Sequence, residues 1–138
     1  AEVVGLLVKS AGNGGNLLLN IGPLPNGEMQ PEFVHVFNEI GDWMQIYGES
    51  IYYIEGGYIR PQPWGCLTTK PGKVYVHILQ GTQPESVLTD FPYKKITKAT
   101  LLKDGSPVKF SFKKKVLTLP AIAPTAEDPD QVIVLEVK

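Results

Sequence analysis

Cysteine is almost missing from this chain. Cys66 stands alone among 138 residues, so no disulfide can form within the chain and no cysteine-rich metal site can be built. Histidine is nearly as scarce. His35 and His77 are the only two, and neither has a carboxylate or cysteine at a metal-ligand spacing, so neither a metal nor a cofactor is expected. No apolar run reaches the length of a membrane-spanning helix, and the first residues do not read as a signal peptide. Excess charge of one sign is absent as well, with a formal net charge of −1. No basic stripe runs along the sequence, which removes the electrostatic footprint of a nucleic-acid binder. The one cationic run, Lys113-Lys114-Lys115, lies between two strand-like segments and reads as a solvated hairpin tip. No serine sits in a nucleophile-elbow context. The glycines of Ala11-Gly12-Asn13-Gly14-Gly15 precede an apolar run, the reverse of a dinucleotide fingerprint.

What remains is ample for a core. The chain is 43% hydrophobic and 20% charged, a balance that suits one ordinary domain or two small pieces. Its two halves follow different periods. Residues 1–10 place Val3, Leu6 and Leu7 at helical spacing with no cap ahead of them, and the expectation is a chain that opens inside a helix of something longer. After the glycine turn, Asn16-Leu17-Leu18-Leu19-Asn20-Ile21 is apolar without alternating, as a strand buried on both faces would be. Gly22-Pro23-Leu24-Pro25-Asn26-Gly27 ends it with turn chemistry. Pro31 then opens a second helix, where its missing N–H costs nothing, and Gly48 closes it. Phe33, Val36, Phe37, Ile40, Trp43, Met44 and Tyr47 share its apolar face. Helix, buried strand, helix is the repeat of an α/β barrel or of an open α/β sheet.

From about Cys66 the pattern is antiparallel β. Leu67–Thr69 pairs with Val74–Leu79 across Lys70-Pro71-Gly72-Lys73, and a further strand is expected over 96–103. Asp104-Gly105-Ser106 is a hairpin turn signal. Val108–Phe112 alternates strictly and reads as a half-buried strand. Val116–Leu119 and Val132–Val137 complete a set that points to a β-sandwich, with 56–63 as the linker ahead of it.

The run Gly14-Gly15-Asn16-Leu17-Leu18-Leu19-Asn20-Ile21-Gly22-Pro23 resembles the signature near the end of the barrel in family 29 glycoside hydrolases, the α-L-fucosidases. The likeness continues in order through Ile40-Gly41-Asp42-Trp43, Tyr47-Gly48-Glu49-Ser50-Ile51-Tyr52, Pro63-Trp64-Gly65 and Lys73–His77. Gly56-Gly57 ahead of Pro63-Trp64-Gly65 looks more like the branch acting on α-1,3/1,4-fucosides. The resemblance implies a mixed fold. Residues 1–58 would be the terminal βα unit of a truncated (β/α)8-type barrel, and residues 59–138 a C-terminal antiparallel β-sandwich. It also implies retaining hydrolysis of terminal α-L-fucosyl residues by a carboxylate nucleophile and a second carboxyl acting as acid and base. Both lie upstream of the matched segments, so no catalytic residue falls on this chain and the chain alone is expected to be inactive. The implied partners are a fucosylated glycan, reached through the parent enzyme, and the missing N-terminal barrel portion. The family expectation for location is periplasmic, secreted or lysosomal.

Two residues are candidates for a place beside substrate. Asn20 lies near the end of the presumed last barrel strand, where barrel sites gather, though an asparagine there also ties down turns. Trp64 belongs to an aromatic group with Tyr52, Tyr53 and Tyr58, whose ring faces could stack on a sugar or pack at a domain boundary. Glu49 and Glu55 read as surface carboxylates, because their spacing does not supply the roughly 5 Å separation that retention needs. The alternative to an enzyme portion is a carbohydrate-binding or purely structural sandwich.

Overall fold

The computed structural model describes residues 1–80 and 85–138. Two helices come first, α1 (Glu2–Gly12) and α2 (Pro31–Tyr47), the second running into a 3-10 turn at Gly48–Ser50. Seven strands follow: β1 (Gly65–Lys70), β2 (Lys73–Ile78), β3 (Glu85–Leu88), β4 (Ile96–Leu101), β5 (Ser111–Lys113), β6 (Val116–Pro120) and β7 (Gln131–Val137). They form a four-stranded sheet, β1-β2-β7-β4, and a three-stranded sheet, β3-β6-β5, with every pairing antiparallel. The sandwich expected from the strand spacing is therefore present.

The larger sheet is buried on both faces, and its sequence says why. In β2, Val74, Val76 and Ile78 point inward with Leu67, Leu117, Ile133 and Leu135, filling the space between the sheets. The alternate residues of the same strands, Cys66, Tyr75, Val132 and Val134, join Val4, Val8, Trp43 and Tyr47 in a second core under the helices. The period of two thus sorts one strand into two cores. The molecule is layered as helices, four strands, three strands. Fully burying an aliphatic side chain of this kind stabilises by about 1.5–3 kcal/mol.

Four sequence expectations need correction. The run 16–21 forms no strand: Leu18 is 83% exposed, and among the described residues no strand lies beside it to accept its backbone hydrogen bonds. Helix α1 buries Val4, Val8 and Ala11, while Leu6, chosen from spacing alone, is exposed. Both faces are apolar, and the sheet selects the one that reaches Cys66. The segment 108–112 is a strand only at its end. Pro107 bridges to Thr100, the Val108 amide donates to the Ala99 carbonyl, and the chain then leaves the first sheet to reach β6 in the second. Alternation continues through a strand that changes sheets, so the sequence pattern hides the crossing. Strand β3, finally, was not foreseen. Its four residues alternate Glu-Ser-Val-Leu, too short a run to stand out.

The stretch read as a linker is stitched down. Glu55 and Thr69 exchange backbone hydrogen bonds at the edge of β1, and the Gly57 amide donates to the Gly12 carbonyl. Gly56 lies so close to helix α1 that a Cβ there would run into the Ala11 carbonyl oxygen. Only glycine permits that approach.

Candidate functional site

The polar chemistry of this chain concentrates where the end of α2 meets the outer face of the larger sheet. Helix α2 reaches that face because Trp43 and Tyr47, four residues apart, are its two buried side chains. Their rings pack at 5.3 Å between centroids. Three polar contacts fix the end of the helix and the 3-10 turn after it to the sheet and to the loop before β7.

The first runs through Tyr47. Its hydroxyl donates to Asp128 Oδ1 at 2.6 Å, and Lys103 Nζ holds Asp128 Oδ2 at 3.0 Å. Burial and then the Asp128 carboxylate push the Tyr47 hydroxyl far above the usual tyrosine range, so it stays a donor. The second centres on Glu49. The Tyr75 hydroxyl donates to its Oε1 at 2.6 Å and Lys73 Nζ does so at 2.9 Å. Those two bonds, the tyrosine's first, hold the Glu49 carboxyl below the ordinary range. Glu49 is the surface carboxylate read from sequence, and it also tethers the turn to the sheet. Lys70 Nζ adds a bond to the Glu49 carbonyl.

The third contact is fully buried. Ser50 O accepts from Thr68 Oγ1 at 2.7 Å. The Thr68 hydroxyl has one hydrogen and it is spent there, so His77 Nε2, 3.1 Å from the same oxygen, must donate. His77 Nδ1 lies 2.6 Å from Asp130 Oδ2, and one proton occupies that short contact. His77, Thr68 and Asp130 are each 0% exposed. Asp130 Oδ1 has no partner among the described residues.

A carboxylate, a histidine and a hydroxyl in line invite comparison with a hydrolase triad. Here the chemistry is closed off. The hydroxyl is sealed from solvent, and its proton goes to a backbone carbonyl rather than to the imidazole. The array is a structural lock. Cys66 is equally inert: burial pushes its thiol up to about 12, and it donates to the Val8 carbonyl at 3.3 Å. No group of three metal-binding side chains occurs among the described residues.

The structure separates the two residues singled out from sequence. Asn20 is exposed on the extended segment after α1. Trp64 is 4% exposed in the core between the sheets, a packing position. Its aromatic neighbours in sequence face the other way, Tyr52, Tyr53 and Tyr58 being exposed, with Tyr53 held at φ 57. Sequence reasoning missed the His77–Asp130 pair, because its partners are far apart in the chain. A cleft of about 600 Å³ lies between α1, α2 and the loop before β7, lined by Val3, Ile40, Trp43, Ile46 and Asp128 among others.

Comparison with known proteins places this geometry. The family model described as alpha-L-fucosidase matches residues 1–49. The tissue alpha-L-fucosidase of Mus musculus is 31% identical over 133 residues, which is 90% of this chain and 29% of that protein. The plasma alpha-L-fucosidase of Homo sapiens is 31% identical over 115 residues, 78% of this chain and 24% of that protein. Among solved structures, alpha-L-fucosidase isoenzyme 1 from Paenibacillus thiaminolyticus superposes with a TM-score of 0.86 at 30% identity, over 99% of this chain and 34% of that one. A family 29 alpha-L-fucosidase from Bacteroides thetaiotaomicron gives 0.86 at 27% identity, over 99% and 31%. The chain thus spans about a third of the solved structures and less than a third of the curated relatives. The family model covers the helical part and the solved structures nearly the whole chain, and this chain belongs to the α-L-fucosidase family as a portion of its C-terminal region.

Proposed function

We propose that the parent of this chain is a retaining α-L-fucosidase that removes terminal α-L-fucosyl residues from glycans. In this reading residues 1–58 close the parent's (β/α)8-type barrel, with 16–21 as its last strand, and residues 59–138 are the sandwich that buttresses it. The exposed run 16–21 carries the proposal. Asn16 to Ile21 is extended and apolar, and its Leu18 is 83% exposed between two helices that pack on a sheet of their own. Such a segment is costly in water and suits a slot between other barrel strands. Asn20, at the far end of that segment, would then face the rim where barrel sites gather. The catalytic carboxylates would come from the portion of the parent that precedes these residues. This chain's part is to hold the last strand and helix in place through the Tyr47, Glu49 and Ser50 contacts.

The test is turnover of a chromogenic α-L-fucoside by the whole parent and by the 138-residue chain alone. The parent is expected to release α-L-fucose with retained configuration, and the chain alone to release none. Turnover by the isolated chain would overturn the division of labour. No turnover by the parent would overturn the enzyme.

A further inference from the structure

The balanced net charge of −1 conceals a strong asymmetry. One end of the sandwich collects lysines from separate parts of the chain. The β1–β2 hairpin brings Lys70 and Lys73. The Val137 amide donates to Gly72 O, which sets the end of β7 and Lys138 beside that tip. Lys94 and Lys95 both donate backbone bonds to Lys138 O. The tip of the β5–β6 hairpin, Lys113–Lys115, is tied to the same loop, because Phe91 N donates to Lys115 O and Lys115 Nζ to Tyr93 O. Eight of the 13 basic residues therefore share one end, against Glu49, Glu55, Asp90 and Glu136. Lys73 is paired with Glu49. Lys94, Lys95, Lys113, Lys114 and Lys138 are exposed and make no ion pair among the described residues.

We propose that this lysine-rich end binds a polyanionic glycan, one carrying sulfate or carboxylate groups along its chain. Like charges gathered at one end repel each other and weaken the fold slightly, so an anion that bridges three loops is attracted by all of them. Lysine suits this ligand. It is a flexible point charge that follows irregularly spaced anions, whereas the bidentate fork used for phosphate recognition is arginine's. The one arginine, Arg60, lies in the segment before β1 and belongs to none of these loops in sequence. Single-stranded nucleic acids stack successive bases on several exposed rings, and here Phe91 is fully buried and Tyr93 packs against it at 5.2 Å, so Tyr58, near Tyr93, is the one exposed ring at this end among the described residues. The choice of a glycan as bearer of the charge rests on the fucosidase reading. An acidic glycan held at this end would keep its fucosylated branches near the parent's active site.

The experiment uses the whole parent enzyme and an immobilised sulfated polysaccharide. The wild type is expected to be retained at low salt and released as salt rises, since exposed charges are screened within about 8 Å at physiological ionic strength. A variant with Lys94→Gln, Lys95→Gln, Lys114→Asn and Lys138→Gln is expected to bind about tenfold more weakly or worse. Lys9→Gln, on helix α1, is expected to bind as the wild type does. Hydrolysis of a small neutral fucoside should be the same in all three, which also shows that each is folded. A wild type that is not retained, or a quadruple variant retained equally, overturns the proposal. So does tighter binding of duplex DNA or of anionic phospholipid vesicles in competition, which would assign the surface to another class of partner. Loss of the neutral activity in the wild type would instead strike the fucosidase reading, because retention is measured without catalysis.

Discussion

Asp130 and His77 meet inside the protein, sealed from water on every side. Removing Asp130 leaves His77 Nδ1 buried with nothing opposite, while Nε2 keeps Thr68, and removing His77 leaves the Asp130 carboxyl without its partner. Asp130→Ala should therefore cost about 3–5 kcal/mol of stability in chemical denaturation. Replacing both with leucine should cost less than the single change, because no orphaned imidazole remains. A single-variant loss below about 1 kcal/mol would mean that water or a rearranged Thr68 satisfies the ring. The sequence could not have announced this pair. His77 has no carboxylate at a local spacing, and Asp130 sits in a Pro- and acid-containing loop that looks solvated. Only the pairing of β2 with β7, which sets His77 opposite Val132, brings the two together. Trp43, by contrast, was legible as core, because a helical stripe is a local pattern.

The hairpin of β5 and β6 shows the same division within one element. Three consecutive lysines between strand-like segments marked a turn, and Lys113 does pair with Val116 across a two-residue loop. The sequence did not reveal its strain. Lys114 and Lys115 both take left-handed backbone angles, φ 50 and 65, as the tight hairpin turn demands. A residue with a Cβ pays roughly 1–2 kcal/mol there. The pair Lys114→Asn and Lys115→Gly should therefore raise stability by about 1 kcal/mol, even with the exposed Lys115–Tyr93 bond lost. Thermal unfolding of the double variant checks this, and a lower midpoint would show that the lysine contacts outweigh the strain. Keeping two strained lysines where asparagine and glycine fit better agrees with a use for their charge. The crossing at 107–110 was hidden for a different reason, since alternation is the same whichever sheet receives the strand.

At the scale of the whole molecule, apolar surface is distributed unevenly. The sandwich has its own closed core, but the helical side does not. Leu6, Leu18, Val34, Phe37 and Ile46 are all exposed on α1, α2 and the segment between them. Exposed apolar surface of this extent marks a contact face. The two helices and most strands of the sandwich were legible because each repeats a short period, whereas β3, at four residues, was too short to show one. The fate of 16–21 was not, because whether an apolar run becomes a strand depends on neighbours outside it. The isolated chain should divide accordingly in hydrogen exchange. Amides of β2 and β7, buried on both faces, should exchange slowest, and those of 13–30 should exchange within the dead time. The isolated chain should also bind a hydrophobic dye and self-associate, and the whole parent should do neither. Uniform protection across 13–30, with no dye binding by the isolated chain, would mean that the helical side is complete without a barrel to join.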